Sequence, residues 1–148
     1  MAIKISTGLR NGLLDSASLK GLLDGGVINI YQGDEPASAD SAIPEAAQLL
    51  CTVSLDSTGD GINFDINAVD GVLSKAPAEV WSGVNAASGT AQFYRHVQPS
   101  DTGVASDTEV RVQGNIGTFG TDMEISSTTL TEGAVQTVDH YSIAMPTL

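Results

Sequence analysis

Asp56, Thr58 and Asp60, followed by Gly61, set oxygen-bearing side chains at the first, third and fifth positions of a half-formed calcium loop. The twelfth position is Asn67 rather than the bidentate glutamate that wraps the ion, and no helical pattern flanks the segment. The stretch therefore reads as a hairpin turn in which Asp60-Gly61 supplies the positive φ. Gly114, Gly117 and Gly120 repeat at a spacing that can cradle a phosphate through backbone N–H groups. Such a cradle needs a following helix whose N-terminus faces the anion, whereas a strand pattern follows here with no lysine near it. Nucleophilic chemistry would call on Cys51 with His96 or His140, or on a serine with Asp139 and His140. Cys51 falls on the inward face of a strand pattern, where a thiol stays protonated. No serine stands in a Gly-x-Ser-x-Gly elbow, and Asp139 and His140 are neighbours in a strand pattern, which sends them to opposite faces. Two histidines are too few for a zinc centre, and nothing singles out a pair among the 18 acids. The expectation is a protein that is not an enzyme and that carries neither metal nor cofactor.

The elements that would position these residues are mostly short strands. Thr7 can cap a helical turn carrying Leu9, Leu13 and Leu14, and Ser18 a second with Leu19, Leu22 and Leu23, stopped by Gly25-Gly26. From Val27 the apolar period changes to two, and Val27–Tyr31 reads as a strand ending before Gly33-Asp34-Glu35-Pro36. Residues 37–47 form an alanine-rich loop containing Pro44. Leu49, Cys51, Val53 and Leu55, then Ile62, Phe64 and Ile66, alternate with polar residues and predict a hairpin with one buried face. Further strands are expected at Thr90–Val97, Glu109–Gln113, Met123–Ser126 and Gln136–Met145, the last with Tyr141, Ile143 and Met145 on one face. The stretch around Trp81 has no clear period. Short strands at this spacing predict a mainly-β fold: an antiparallel β-sandwich, jelly-roll-like, with a short N-terminal helical segment. The whole of 1–148 reads as one domain, with 1–26 an arm and helical segment packed on it.

Composition narrows the function classes. A chain of 148 residues with 41% hydrophobic content can build one core without disulfides, and Cys51 has no partner for one. Eighteen acids against six scattered bases give a net charge of −12, which argues against nucleic acid and against anionic membrane surfaces. The opening residues lack the apolar core of a signal peptide, and no apolar run approaches the roughly 18 residues of a membrane span. Synthesis and retention in the cytoplasm is the expectation. Trp81 and Tyr94 are the aromatic candidates for partner binding, since such residues are enriched in interface hot spots. Ala2, Ile3, Lys4 and Ile5 form an alternating arm that can add a strand to a neighbour's sheet edge, or to its own.

Leu9-Arg10-Asn11-Gly12-Leu13-Leu14-Asp15, followed by Ile28-x-Ile30-Tyr31-x-Gly33-x-x-Pro36-Ala37-Ser38-Ala39-Asp40, resembles a group of small tailed-bacteriophage proteins. Val112-Gln113-Gly114-Asn115-Ile116-Gly117 and Asp122-Met123-x-Ile125 are similar to the same group. Its nearest functional label is the capsid decoration, or cement, protein. The resemblance implies a β-sandwich on the outer capsid of the virion, made in the host cytoplasm. It also implies that the major capsid protein and copies of the chain itself, as a dimer or trimer, are its partners. Two other classes stand beside it: another phage structural role in the tail tube, head–tail joint or baseplate, and a carbohydrate-binding or adhesion module.

Overall fold

Serine hydroxyls start both helices of the protein, whose computed structural model describes residues 3–147. Helix α1 spans Thr7–Asp15 and its cap is Ser6, one residue before the expected Thr7; Ser6 Oγ accepts from Leu9 N at 3.1 Å. Thr7 is otherwise engaged, donating through its own hydroxyl to Asp40 Oδ2 at 2.6 Å. The shift turns the helix so that Leu9 is buried while Leu14 is 84% exposed. Helix α2 spans Leu19–Leu23, capped by Ser18 as expected, and leads into Gly25 at φ +81°. Gly12 has a packing reason to sit inside α1, because a Cβ there would stand 2.9 Å from the Leu22 side chain.

The strands are β1 (Lys4–Ile5), β2 (Val27–Gln32), β3 (Gln48–Leu55), β4 (Val72–Ser74), β5 (Trp81–Val84) and β6 (Gly89–Thr90). They continue with β7 (Phe93–Val97), β8 (Arg111–Gly117), β9 (Met123–Glu124), β10 (Thr129–Leu130), β11 (Val135–Val138) and β12 (Ser142–Ala144). One eight-stranded sheet runs β1-β8-β7-β2-β3-β5-β11, with β9 parallel to β8. The ribbons β4–β12 and β6–β10 are separate. The mainly-β fold is as expected, with one layer of the sandwich much larger than the other.

The expected hairpin over 48–67 takes a different form. A register shift between Ile30 and Tyr31 breaks the alternation, so Leu50, Cys51 and Val53 are buried while Leu49 is 41% exposed. β3 pairs with β2 and β5 instead of with the residues that follow it. Residues 60–64 touch β3 only through the isolated bridge of Leu55 to Asp60, and otherwise bridge elsewhere, Ile62 to Gly26 and Phe64 to Lys75. Ile62 and Phe64 are buried and Ile66 is 83% exposed. Gly114 and Gly117 lie inside β8 rather than in a turn. The long C-terminal strand is two, β11 and β12, broken at residues 139–141, with Tyr141 and Ile143 buried and Met145 exposed.

Both faces of the central sheet are covered, so all of Phe93–Val97 is buried. Tyr94 and His96 point toward an aromatic cluster beneath the β4–β12 ribbon. In it Phe64 meets Trp81 edge-on at 5.4 Å and Tyr141 meets Tyr94 at 5.6 Å. His96 lies near Phe64 with ring centroids 5.8 Å apart, and its Nε2 is 2.9 Å from Leu23 O. Burial drives the His96 pKa down to about 4. The folded protein thus refuses a proton that the unfolded chain accepts near pH 6.5. This contribution is intact above that pH and is lost as pH falls toward 4. His96→Gln keeps a donor for Leu23 O without titrating. Between pH 7.5 and 5 the native protein is expected to lose about 2 kcal/mol more stability than this variant, read from urea unfolding. Parallel profiles would refute the assignment.

Candidate functional site

The residues that invite chemistry are mostly tied into turns or buried. In the segment after β3, Thr58 Oγ1 donates to Leu55 O at 2.6 Å, and Gly59 N donates to Ser54 Oγ at 2.9 Å. The positive φ of this turn falls at Asp56, Ser57 and Gly59, at 51°, 60° and 92°, and not at the expected Asp60-Gly61. Cys51 is buried on the inward face, and burial pushes its thiol up to about 11. Asp139 and His140 are exposed and lie between β11 and β12, so strand alternation does not govern their directions. Together with Ser74, Lys75 and Ser142 they line an open hollow of about 380 Å³.

The partner-binding candidates separate into an edge and a core. Ala2 lies outside the described residues. Ile3 packs partly buried against the core, while Lys4 and Ile5 pair with Gln113 and Val112 of β8, so the arm completes its own sheet. Lys4 Nζ reaches Glu35 Oε1 at 2.8 Å. Ser6 locks this arrangement, because its hydroxyl donates to Glu109 O at 2.7 Å and accepts from Arg111 N at 2.9 Å, besides capping α1. Ser6→Ala is expected to lower stability by about 2 kcal/mol in urea unfolding, a cap and two tertiary bonds being lost together. Truncation through residue 6 would remove the same lock.

Trp81 and Tyr94 are buried in this fold. Trp81 is 1% exposed and donates through Nε1 to Glu79 Oε2 at 2.8 Å. Tyr94 is fully buried, with its hydroxyl 2.8 Å from that of Tyr141. The reason is that both side chains project onto a covered face of the sheet, where Phe64 and Tyr141 lie against Trp81 and Tyr141 lies against Tyr94. The large apolar side chains that do reach solvent include Phe119, the cross-strand pair Val84 and Val135, and Ile66, Val69 and Met145.

The sheet face opposite the aromatic cluster holds a polar network that the sequence did not disclose. Arg111 Nε and Nη2 bind Asp101 Oδ2 and Oδ1 at 2.6 and 2.8 Å, with both side chains at most 1% exposed. Arg111 also donates to Ala39 O and Val104 O, and Gln113 Nε2 to Pro36 O, so two loops are fastened over the sheet. Beside these lies Arg95, 1% exposed, with Nε and Nη2 both on Gln113 Oε1. A cross-strand row, Asn29–Arg95–Gln113, is the one signal that could have pointed to this face. No helix among the described residues is long and apolar enough to cross a membrane. Comparison with protein-family models, curated proteins and solved structures finds no match.

Proposed function

We propose that this chain is a structural virion protein that decorates a phage capsid and cements it by binding between capsomers. Its partners in this reading are the major capsid protein and further copies of itself, and its work is not catalysis. The observation that carries the reading is an unpaired edge of the large sheet. Among the described residues β11 pairs on one side only, and Val135 with its neighbour Val84 leaves apolar surface there, 62% and 53% exposed. Such an edge binds through backbone hydrogen bonds and needs few charges, which suits a chain with six bases. The residues that resemble the cement group lie in α1, in β2 with its following turn, in β8 and at β9 beside it. Many weak contacts on one shell gain by avidity. The adhesion alternative relied on surface aromatics, and the burial of Trp81 and Tyr94 removes those two from it.

The test is sedimentation of the purified protein with empty capsid shells, with cryo-electron microscopy to locate it. Binding between capsomers in hundreds of copies is the expected outcome. A handful of copies at one vertex would assign a joining role, and failure to bind would end the virion-surface reading. Val135→Lys should leave folding intact, being an exposed substitution, and should weaken shell binding by about tenfold or more.

A further inference from the structure

A cavity of about 280 Å³ lies between the polar face of the sheet and its covering loops. Asn29, Tyr31, Leu49 and Arg95 contribute from the sheet, and Ile43 and Thr102 from the loops around it. Arg95 is the unusual member. It is 1% exposed, its Nε and Nη2 share a single neutral acceptor in Gln113, and its Nη1 is buried with no hydrogen-bond partner. The ion pairs among the described residues use Lys4, Lys20 and Arg111, so this guanidinium has no carboxylate of its own. The nearby Asp101 is occupied by Arg111 and by Gly103 N, the latter at 2.8 Å. Burial brings the Arg95 pKa down to about 10, and Arg111 contributes in the same direction. A buried cation is costly unless an anion or several acceptors compensate it, and a guanidinium is shaped to receive a carboxylate.

We propose that this cavity binds a small monocarboxylate, whose oxygens supply the acceptor Arg95 lacks while its apolar body rests against Ile43 and Leu49. The phenol of Tyr31, the amide of Asn29 and the hydroxyl of Thr102 add neutral polar groups around it. A monoanion fits better than a dianion, since one cation is uncompensated and Asp101 also borders the space. The volume lies near the lower end, roughly 300 Å³, of small-molecule sites. This site is independent of the capsid reading, and either can fail alone.

Sodium benzoate titrated into the isotope-labelled full chain tests it by NMR, at constant ionic strength, with benzamide as the neutral comparator. Saturable shifts at Asn29, Tyr31, Gly103 and the Arg95 Nε–H are expected, with benzamide at least about tenfold weaker. Absence of saturation, equal response to benzamide, shifts elsewhere, or unmoved Arg95 signals would each overturn the assignment. Arg95→Met should abolish binding. Should that variant not fold, Leu49→Trp narrows the mouth from a partly exposed position and leaves Arg95 in place. It should weaken benzoate by about tenfold with an unchanged melting temperature, and native affinity in it would place the ligand elsewhere.

Discussion

Arg111→Leu is expected to destabilise the protein by about 3–5 kcal/mol, because it strands a buried carboxylate. Asp101 would keep the hydrogen bond from Gly103 N and lose both bonds from the guanidinium. The loops held by Ala39 O and Val104 O would lose their donors as well. In the native protein burial tends to raise the Asp101 pKa, but the hydrogen bonds from Arg111 and Gly103 and the charge of Arg111 hold it below the usual range. The pair therefore contributes fully above the unfolded carboxylate pKa, and the contribution disappears as pH falls through the lower folded value. In the variant the buried carboxyl is unpaired and its pKa rises, so the gap between variant and native protein should narrow on acidification. Denaturant titrations at pH 7 and pH 4 would show it. Arg111→Leu combined with Asp101→Leu should recover most of the loss, since it removes the orphaned charge with its partner. A double variant as unstable as the single one would mean that loop fastening, not charge pairing, dominates.

Trp81→Ala should cost about 3–5 kcal/mol, the range for deleting a large aromatic from a core. The indole lies against Phe64 and Tyr141 and is fixed by Glu79, which also accepts from Asn63 N and Asn63 Nδ2 at 2.8 and 2.9 Å. Its removal opens a void in the aromatic cluster and releases one of the bonds that hold Glu79. Trp81→Phe should cost distinctly less, because one ring of the packing survives while the Nε1 donor and the volume of the second ring go. Urea unfolding of both variants checks the order. A loss under about 1 kcal/mol for Trp81→Ala, accompanied by impaired shell binding, would instead restore Trp81 to a partner surface.

What the sequence discloses depends on whether one period governs a segment. Val27–Tyr31 and the Ser18-capped turn were legible because local pattern and local chemistry agree there. The Leu49–Leu55 pattern misled at one end because Ile30 pairs with Cys51 and Tyr31 with Leu49, so Leu50 is an extra residue in β3 that alternation alone does not announce. β7 and β8 hide their role for another reason. Arg95, His96, Arg111 and Gln113 are buried polar residues, and a polar residue in an alternating pattern ordinarily signals solvent. The burial of Arg95, Arg111 and Gln113 depends on loops at 36–43 and 98–106, and no periodicity announces where a loop will lie. The inward thiol of Cys51 was readable from alternation alone.

The course of the chain through the sheet also sets the order in which it can fold. Ser6 and Arg111 are bonded across 105 positions of sequence, and β2 finds β7 some 65 residues later. A nascent chain leaving the ribosome therefore carries the leucines of α1 and α2 unburied until most of the domain has been made. Nothing local rewards early closure, since β3, the first strand available to β2, comes only after a long loop. Folding of such a topology is slow, on the order of milliseconds to seconds. Over that interval Val27–Tyr31 and Leu49–Leu55 are apolar strands without their full set of neighbours, and the charge of −12 opposes the pairing of one unfinished chain with the next.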